Sequence, residues 1–304
     1  MIFINNTQKT AVAVVGFGNI GQYAAEAVMQ ERDMELCGIV DPFAKSKPAH
    51  ISAPLVADIG ELPHVDVALL ALPTRQVLTL GTEYLSKGIR IADIFDIHGD
   101  DLWELYQAFD KTAKAHNTAS LTASGWDPGT DSLIRAVFKI MIPRGVTYTD
   151  FGPGMSMGHT VAAKSKPGVA DAVSITSPKG LGIHRRLVYI KPKEGADTVE
   201  IEKAVREDPY FATDETHIYF TQNLEDMRDL GHGSHIERKG RSGVHSNQRV
   251  EFSTKLNNPA VTSQVLVAAG RAVMKQAPGA YTMTQVPLAD FIDSSTEEIV
   301  KTMV

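Results

Sequence analysis

The sequence predicts an α/β protein: a doubly wound parallel sheet, then a second, α+β domain with a mainly antiparallel sheet. Three observations support this. Residues 1–124 alternate short buried-strand patterns with helical ones, as repeated βαβ units require. Past Ser124 the chain gathers glycine and proline, at Gly125, Pro128, Gly129, Gly152, Pro153, Gly154 and Gly158, and its later strands look antiparallel. The length of 304 residues suits one large or two medium domains.

The elements follow in order. Ala11–Val15 is a continuous apolar run closed by Gly16, a strand buried on both faces by its length and β-branching. Ile20–Gln30 carries apolar residues at helical spacing, and Met34–Val40 and Val67–Leu72 are further buried strands. Val77–Lys87 is a helix ending at Gly88, where a C-cap glycine belongs. Ile89–Phe95 is the fourth strand and Leu102–His116 the helix after it. In the second domain, expected over 125–259, Ala172–Thr176, Arg186–Ile190 and Arg249–Lys255 are strands. Val199–Glu207 and Ala260–Gln276 are helices.

Composition narrows the function classes. Hydrophobic residues make up 43% and charged residues 22%, close to the soluble globular average. A net charge of -6 argues against a nucleic-acid partner, which calls for a basic face. Cys37 is the one cysteine, so no intrachain disulfide can form, in keeping with a reducing compartment. No apolar run approaches the roughly 20 residues of a membrane helix. Asn5 and Asn6 interrupt the place where a signal peptide would have its apolar core, so a cytoplasmic protein is expected.

Val12-Ala13-Val14-Val15-Gly16-Phe17-Gly18-Asn19-Ile20-Gly21 places G-x-G-x-x-G directly after a strand and at the start of a helix. Gly16 permits the turn, Gly18 lets a pyrophosphate approach the backbone, and Gly21 lets helix and strand pack closely. Phosphates then meet free N–H groups at the positive end of the helix, with Asn19 and Ile20 in its first turn. The first domain therefore reads as a dinucleotide-binding Rossmann domain. Asp41 ends the second strand, 20 positions after Gly21, where a carboxylate accepts from ribose hydroxyls and repels a 2′-phosphate, favouring NAD. Asp41 can instead be a turn starter before Pro42, and Lys45 and Lys47 can offset the repulsion if the loop folds back. Leu72, Pro73 and Thr74, after the third strand, fall on the nicotinamide side.

Two polar clusters stand out: Asp93-Ile94-Phe95-Asp96-Ile97-His98-Gly99-Asp100 and Ser124-Gly125-Trp126-Asp127-Pro128-Gly129-Thr130-Asp131. Both sit where an open α/β sheet binds ligands, beyond the carboxyl ends of strands. Carboxylates there suit an ammonium group. Asp100 and Asp131 read as helix caps, leaving Asp96 and Asp127 for the substrate. Arg186 presents a planar fork for a carboxylate, although a solvated pair with Arg185 is as ordinary. His232, flanked by Gly231 and Gly233, is by itself a weak signal. No metal site is assigned.

Several strings resemble the meso-diaminopimelate D-dehydrogenase family. They are Phe95–Asp100, Ser124–Asp131, Phe151-Gly152-Pro153-Gly154-Met155-Ser156-Met157-Gly158-His159, Gly231-His232-Gly233 followed by Glu237-Arg238-Lys239-Gly240, and Asn257-Asn258-Pro259-Ala260. The matches run from the glycine loop to near the C-terminus. The resemblance implies reversible oxidative deamination of the D-centre of meso-2,6-diaminopimelate, giving L-2-amino-6-oxopimelate and ammonia, within lysine and cell-wall precursor metabolism. It implies a homodimer, NADP as cofactor, and a C-terminal segment from about residue 260 that returns to the first domain. By matching position, Asp96, Trp126 and Asp127 surround the D-amino group; Phe151, Met157 and Gly158 line the pocket. Thr176, Arg186, His232 and Asn258 take the distal L end. Where NADP-using members carry arginines after the second strand, this chain has Asp41-Pro42, so NAD is also expected to serve.

Three alternatives meet contrary signals or need fewer features. Sugar and cyclitol oxidoreductases carry Glu-Lys-Pro at a strand end, whereas here Ile91–Asp96 has no lysine. Dihydrodipicolinate reductase has paired histidines that are missing. A non-catalytic nucleotide sensor needs the glycine loop but not the carboxylates.

Overall fold

The computed structural model describes residues 9–228 and 231–304; Asn5 and Asn6 lie outside them. The chain divides into two compact units, one running to Ile134 and taking up Pro259–Val304, the other Arg135–Asn258. The division comes later than residue 124 because the turn after the sixth strand is tied to the helix that follows. Asp131 N donates to Trp126 O at 2.9 Å, and Leu133 packs on the first unit's core.

The first unit is built on one seven-stranded parallel sheet. Its strands are β1 (Thr10–Val15), β2 (Met34–Val40), β3 (Leu55–Val56), β4 (Val67–Leu70), β5 (Arg90–Asp93), β6 (Ala119–Thr122) and, from the C-terminal segment, β16 (Gly279–Thr282). The spatial order is β16-β6-β5-β4-β1-β2-β3, all pairs parallel. The chain runs outward from β1 to β3 and then restarts on the other side of β1 at β4. That reversal opens a crevice at the carboxyl ends of β1 and β4.

The alternation of β1 explains the layers. Val12 and Val14 join one core cluster, with Ala24, Ala25 and Val28 of helix α1 (Asn19–Gln30). Ala13 and Val15 point the other way and join Val77 and Leu85 of α2 (Thr74–Ser86) and Leu105 and Phe109 of α3 (Asp100–Ala115). A strand with both faces covered must be apolar at every position, which is how the TAVAVV segment reads.

Two strands of this sheet, β6 and β16, are not legible as apolar runs. Ser120 and Thr122 are 0% exposed although polar; Thr122 Oγ1 donates to Asp93 Oδ1 at 3.0 Å, whereas Ser120 Oγ has no hydrogen-bond partner among the described residues. The fourth expected strand is shorter, ending at Asp93 rather than Phe95, because the Asp93 side chain captures the Phe95 N–H. The third ends at Leu70 rather than Leu72: Ala71 N still donates to Val15 O at 2.8 Å, and the chain then turns through Pro73 into the next helix. Helix α2 begins three residues before the expected Val77, at Thr74, and Gly88 follows its end with φ +80°. Asp100 and Asp131 lie in the first turns of their helices rather than at the caps; the cap before α3 is Gly99.

The second unit has three small sheets. One orders β11 (Glu215–Phe220), β10 (Ile183–Pro192), β9 (Val169–Gly180) and β8 (Gly154–Met155); only β10 and β11 run parallel. A second, wholly antiparallel, orders β14 (His245–Ser253), β13 (Ser234–Ser242) and β7 (Arg144–Phe151). The third pairs β12 (Gly231–His232) with β15 (Leu256–Asn257). Helices α5 (Met157–Lys164) and α6 (Thr198–Arg206) bury Ala163, Ile201 and Val205 against Ala172, Val188 and Ile190.

In chain order, α4 (Thr130–Met141) follows β6, α7 (Asn258–Val273) follows β15, and α8 (Thr296–Met303) is the last element. No helix among the described residues is long and apolar enough to cross a membrane.

Candidate active site

The glycine loop has the geometry its spacing requires. Gly16 sits at φ +88°, where a side chain is strained, and its N–H donates to Val40 O at 2.9 Å. A Cβ on Gly21 would lie 1.9 Å from Gly16 O, so that position admits only glycine. Gly18 differs: a Cβ there would meet nothing within 4 Å, so the space beside it is open. Gly18 is also the N-cap of α1 and supplies no side-chain cap, leaving the amides of Asn19, Ile20 and Gly21 for a ligand. An open cradle facing an uncapped helix start fits a dinucleotide pyrophosphate.

Asp41 stands against this loop. Its Oδ2 accepts from Phe17 N at 2.8 Å, while Oδ1 accepts from Phe43 N at 2.8 Å and Ala44 N at 3.1 Å. Asp41 is thus a turn starter, and the same carboxylate lies at the loop's edge. Lys47 donates to the Ile51 carbonyl, whereas Lys45 is exposed. Leu72 packs on the core of one face, and Pro73 caps α2.

Thr74 opens α2 and donates its hydroxyl to Asp96 Oδ1. The residues after β4 and after β5 therefore meet. Asp96 is exposed, and Trp126 is 6% exposed. The Trp126 carbonyl accepts from Asp131 N and, at 3.0 Å, from Thr130 Oγ1, which fixes the turn before α4. The Asp127 side chain is 5% exposed, with His98 Nε2 at 3.5 Å from its Oδ2. One acidic side chain is thus open to solvent and one enclosed, both beyond the carboxyl ends of adjacent strands.

In the second unit Thr176 and Arg186 face each other across β9 and β10. Thr176 Oγ1 accepts from Arg186 Nη1, and Asp214 Oδ2 accepts from Arg186 Nε at 2.6 Å. The remainder of the guanidinium's five N–H donors are left for a planar anion. Phe151 ends β7 and pairs with Ser234; its N–H donates to His184 Nε2 at 2.8 Å. Met157 and Gly158 open α5, and Met157 packs beside Met155, Val173 and Leu224. His232 is 7% exposed, and Asn258 is the first residue of α7.

Two glycines make this convergence possible. A Cβ on Gly152 would lie 2.3 Å from Thr176 O, and one on Gly154 would lie 2.0 Å from Gly231 O. Only bare backbone lets the Phe151–Met155 segment touch both β9 and β12.

Burial and the Arg186 charge act together on two imidazoles. Burial first, then Arg186, pushes His159 down to about 4, so it is neutral at pH 7. Its Nδ1 lies 2.8 Å from Ser156 Oγ, and its ring stands edge-on to Tyr210 and Phe211. His184 is lowered by the same two causes in the same order.

Sequence reasoning quoted His98 and His159 inside motifs but assigned them nothing, and it passed over Asp214 and His184. His184, two residues before Arg186, offered a local signal. Asp214 offered none, since it meets Arg186 only through the pairing of β10 with β11.

The parallel sheet, the glycine loop and the acidic strand ends define a Rossmann-type nicotinamide oxidoreductase. Residues 10–92 match the family model "Oxidoreductase family, NAD-binding Rossmann fold", and residues 125–185 match "Diaminopimelic acid dehydrogenase C-terminal domain". A meso-diaminopimelate D-dehydrogenase of Bacteroides fragilis is 46% identical over 96% of this chain and 98% of its own length. One from Acetivibrio thermocellus is 31% identical over 96% and 97%. The solved C. glutamicum DAP dehydrogenase in complex with DAP superposes with a TM-score of 0.88 at 27% identity, covering 98% of this chain and all of that one. An engineered D-amino acid dehydrogenase bound to NADP+ gives 0.85 at 26% identity, over 97% of this chain and 100% of its own. The chain belongs to the meso-diaminopimelate D-dehydrogenase family.

Proposed function

We propose that this enzyme oxidises the D-centre of meso-2,6-diaminopimelate, with water, to L-2-amino-6-oxopimelate and ammonia, reversibly, within lysine and cell-wall precursor metabolism. The observation that carries the reading is the pair of acidic turns after β5 and β6, at the same carboxyl end of the parallel sheet as the open glycine cradle, in a chain of this family. The bound nicotinamide supplies the hydride acceptor.

Asp96, Trp126 and Asp127 hold the D-amino group and aim its Cα–H. Correct orientation alone can contribute roughly 7–11 kcal/mol. One carboxylate takes a proton from the ammonium so that the nitrogen lone pair can form C=N as hydride departs from Cα. The other stays as the ionic anchor. Water then adds to the imine carbon and ammonia leaves. Thr74 orients Asp96 by its hydroxyl. Phe151, Met157 and Gly158 line the pocket, and Thr176, Arg186, His232 and Asn258 hold the distal L end. The Arg186 fork and its support by Asp214 favour a carboxylate there.

For the cofactor we propose relaxed specificity. Family resemblance favours NADP, while Asp41 at the loop's edge favours the free ribose of NAD, and Lys45, exposed four residues on, is a cation that can offset its charge. A homodimer in the cytoplasm completes the reading, on the family resemblance.

The test is reduced-cofactor formation with meso-diaminopimelate against its L,L isomer, using NAD and NADP in turn. Turnover of the meso isomer alone is expected, with both cofactors. Equal rates on both isomers, or none, overturn the substrate; a strong NADP preference overturns the cofactor reading alone.

A further inference from the structure

Asp93 is the last residue of β5, is 0% exposed, and has no part in the chemistry above. Its Oδ1 accepts three hydrogen bonds at 3.0 Å each, from Phe95 N, Thr122 Oγ1 and Ala123 N. Its own carbonyl accepts a fourth, from Ser124 N at 2.7 Å. Three consecutive residues at the end of β6 therefore hang on one residue of β5. Its other oxygen, Oδ2, is buried with no hydrogen-bond partner among the described residues. A buried carboxylate with one oxygen unsatisfied is costly, so what its other oxygen holds must offset that cost.

What Asp93 holds gives the reason. Phe95 immediately precedes Asp96, and the same turn carries His98. Ala123, held at φ +54°, immediately precedes the Ser124–Asp131 turn that carries Trp126 and Asp127. A non-glycine residue in the left-handed region needs outside support, and the Asp93 carboxylate supplies it. Burial raises Asp93 to about 6, which leaves it mainly ionised at neutral pH, where its three acceptor bonds are charge-assisted.

We propose that Asp93 is a positioning residue, a buried carboxylate that fixes the Asp96 turn and the Trp126–Asp127 turn in the mutual geometry the reaction needs. This rests on the functional reading above, and its test has a readout that does not.

Three variants of the full-length enzyme decide it, each assayed with nucleotide and meso-diaminopimelate. Asp93→Asn keeps an oxygen for all three donors to the side chain, so kcat should stay within about fivefold of wild type. Asp93→Ala removes that acceptor, and kcat should fall by about 100-fold or more. Nucleotide affinity, set at the glycine loop, should change by less than about twofold in the same protein. Thr122→Val removes one donor and keeps the carboxylate; it replaces the alanine variant if that protein does not fold, with a loss of roughly tenfold in kcat.

Independently of turnover, the Phe95, Ala123 and Ser124 amides should exchange hydrogen at least about tenfold faster in the alanine variant, and that of Ala123 also in Thr122→Val, but not in Asp93→Asn. A folded alanine or valine variant with wild-type kcat overturns the proposal, as does an asparagine variant as damaged as the alanine one. A wild-type enzyme inactive on meso-diaminopimelate overturns the functional reading instead, and the exchange pattern then decides Asp93. Unchanged exchange in both Asp93→Ala and Thr122→Val overturns it.

Discussion

His98 Nε2 lies 3.5 Å from Asp127 Oδ2, so the turn after β5 and the turn after β6 meet through an imidazole and a carboxylate. The two partners differ in setting: the His98 side chain is 56% exposed and that of Asp127 only 5%. An ion pair with one open partner contributes at most about 1 kcal/mol. His98→Gln should therefore lower kcat by less than about tenfold, whereas Asp127→Asn should lower it by about 10²–10⁴, as a carboxylate that takes the proton or anchors the ammonium is lost. Steady-state kinetics with meso-diaminopimelate separate them. Equal losses would move the proton chemistry onto the imidazole.

The glycine loop offers a paired test of cofactor binding. Gly18→Ala adds a methyl group where nothing lies within 4 Å, so the protein should fold with unchanged Tm. The same methyl stands where a pyrophosphate would approach, and nucleotide Kd should weaken roughly 100-fold. Gly21→Ala meets Gly16 O at 1.9 Å and should instead lower Tm by several degrees or prevent folding. Nucleotide titration and thermal unfolding read the two effects.

Arg186 should govern affinity more than rate. Arg186→Ala removes the fork that Asp214 and Thr176 hold in place, so KM for diaminopimelate should rise about 10- to 100-fold with KM for the nucleotide unchanged. Asp214→Asn keeps a carbonyl acceptor for Nε and should raise KM less. If kcat fell and KM did not, Arg186 would belong to the chemistry rather than to recognition.

His159 carries a pH signature. Its folded value near 4 lies below the unfolded value near 6.5, so under about pH 6.5 the unfolded chain takes up a proton that the folded chain refuses. Its contribution is complete above that pH and declines as pH falls toward 4, by at most about 3 kcal/mol. Asp93, raised by burial, works in the opposite direction between about pH 4 and 6. The informative quantity is therefore the difference between His159→Gln and wild type. The variant should show a shallower loss of Tm from pH 7 to 4; parallel curves would mean that His159 protonates freely in the folded protein.

Arg271 ties the C-terminal segment into the first unit. Its side chain is 8% exposed and reaches Asp33 Oδ2 at 2.6 Å, Glu31 Oε2 at 2.5 Å and the Phe291 carbonyl at 3.0 Å. Removing it leaves two half-buried carboxylates without this partner. Since both keep some contact with water, Arg271→Ala should cost roughly 2–4 kcal/mol, somewhat below the figure for a fully buried pair. Denaturant unfolding measures this, and a loss under about 0.5 kcal/mol would show the network to be surface-like.

The sequence by itself determined the parallel sheet, because strands covered on both faces must be apolar throughout, as in Ala11–Val15 and Val67–Leu70. It also determined the glycine loop, since a turn of that shape tolerates few residues. It marked both acidic turns by their unusual composition. Strands β6 and β16 were not legible, because Ser120 and Thr122 interrupt the apolar run of β6 and the short β16 owes its place to pairing with β6, distant in the chain. For the same reason the fold alone decided that Asp214 supports Arg186, that Thr74 meets Asp96, and that Asp93 grips residues 122–124. Periodicity reports what one segment buries. Partners brought together by strand pairing leave no local pattern, and in this protein they set the geometry of the candidate site.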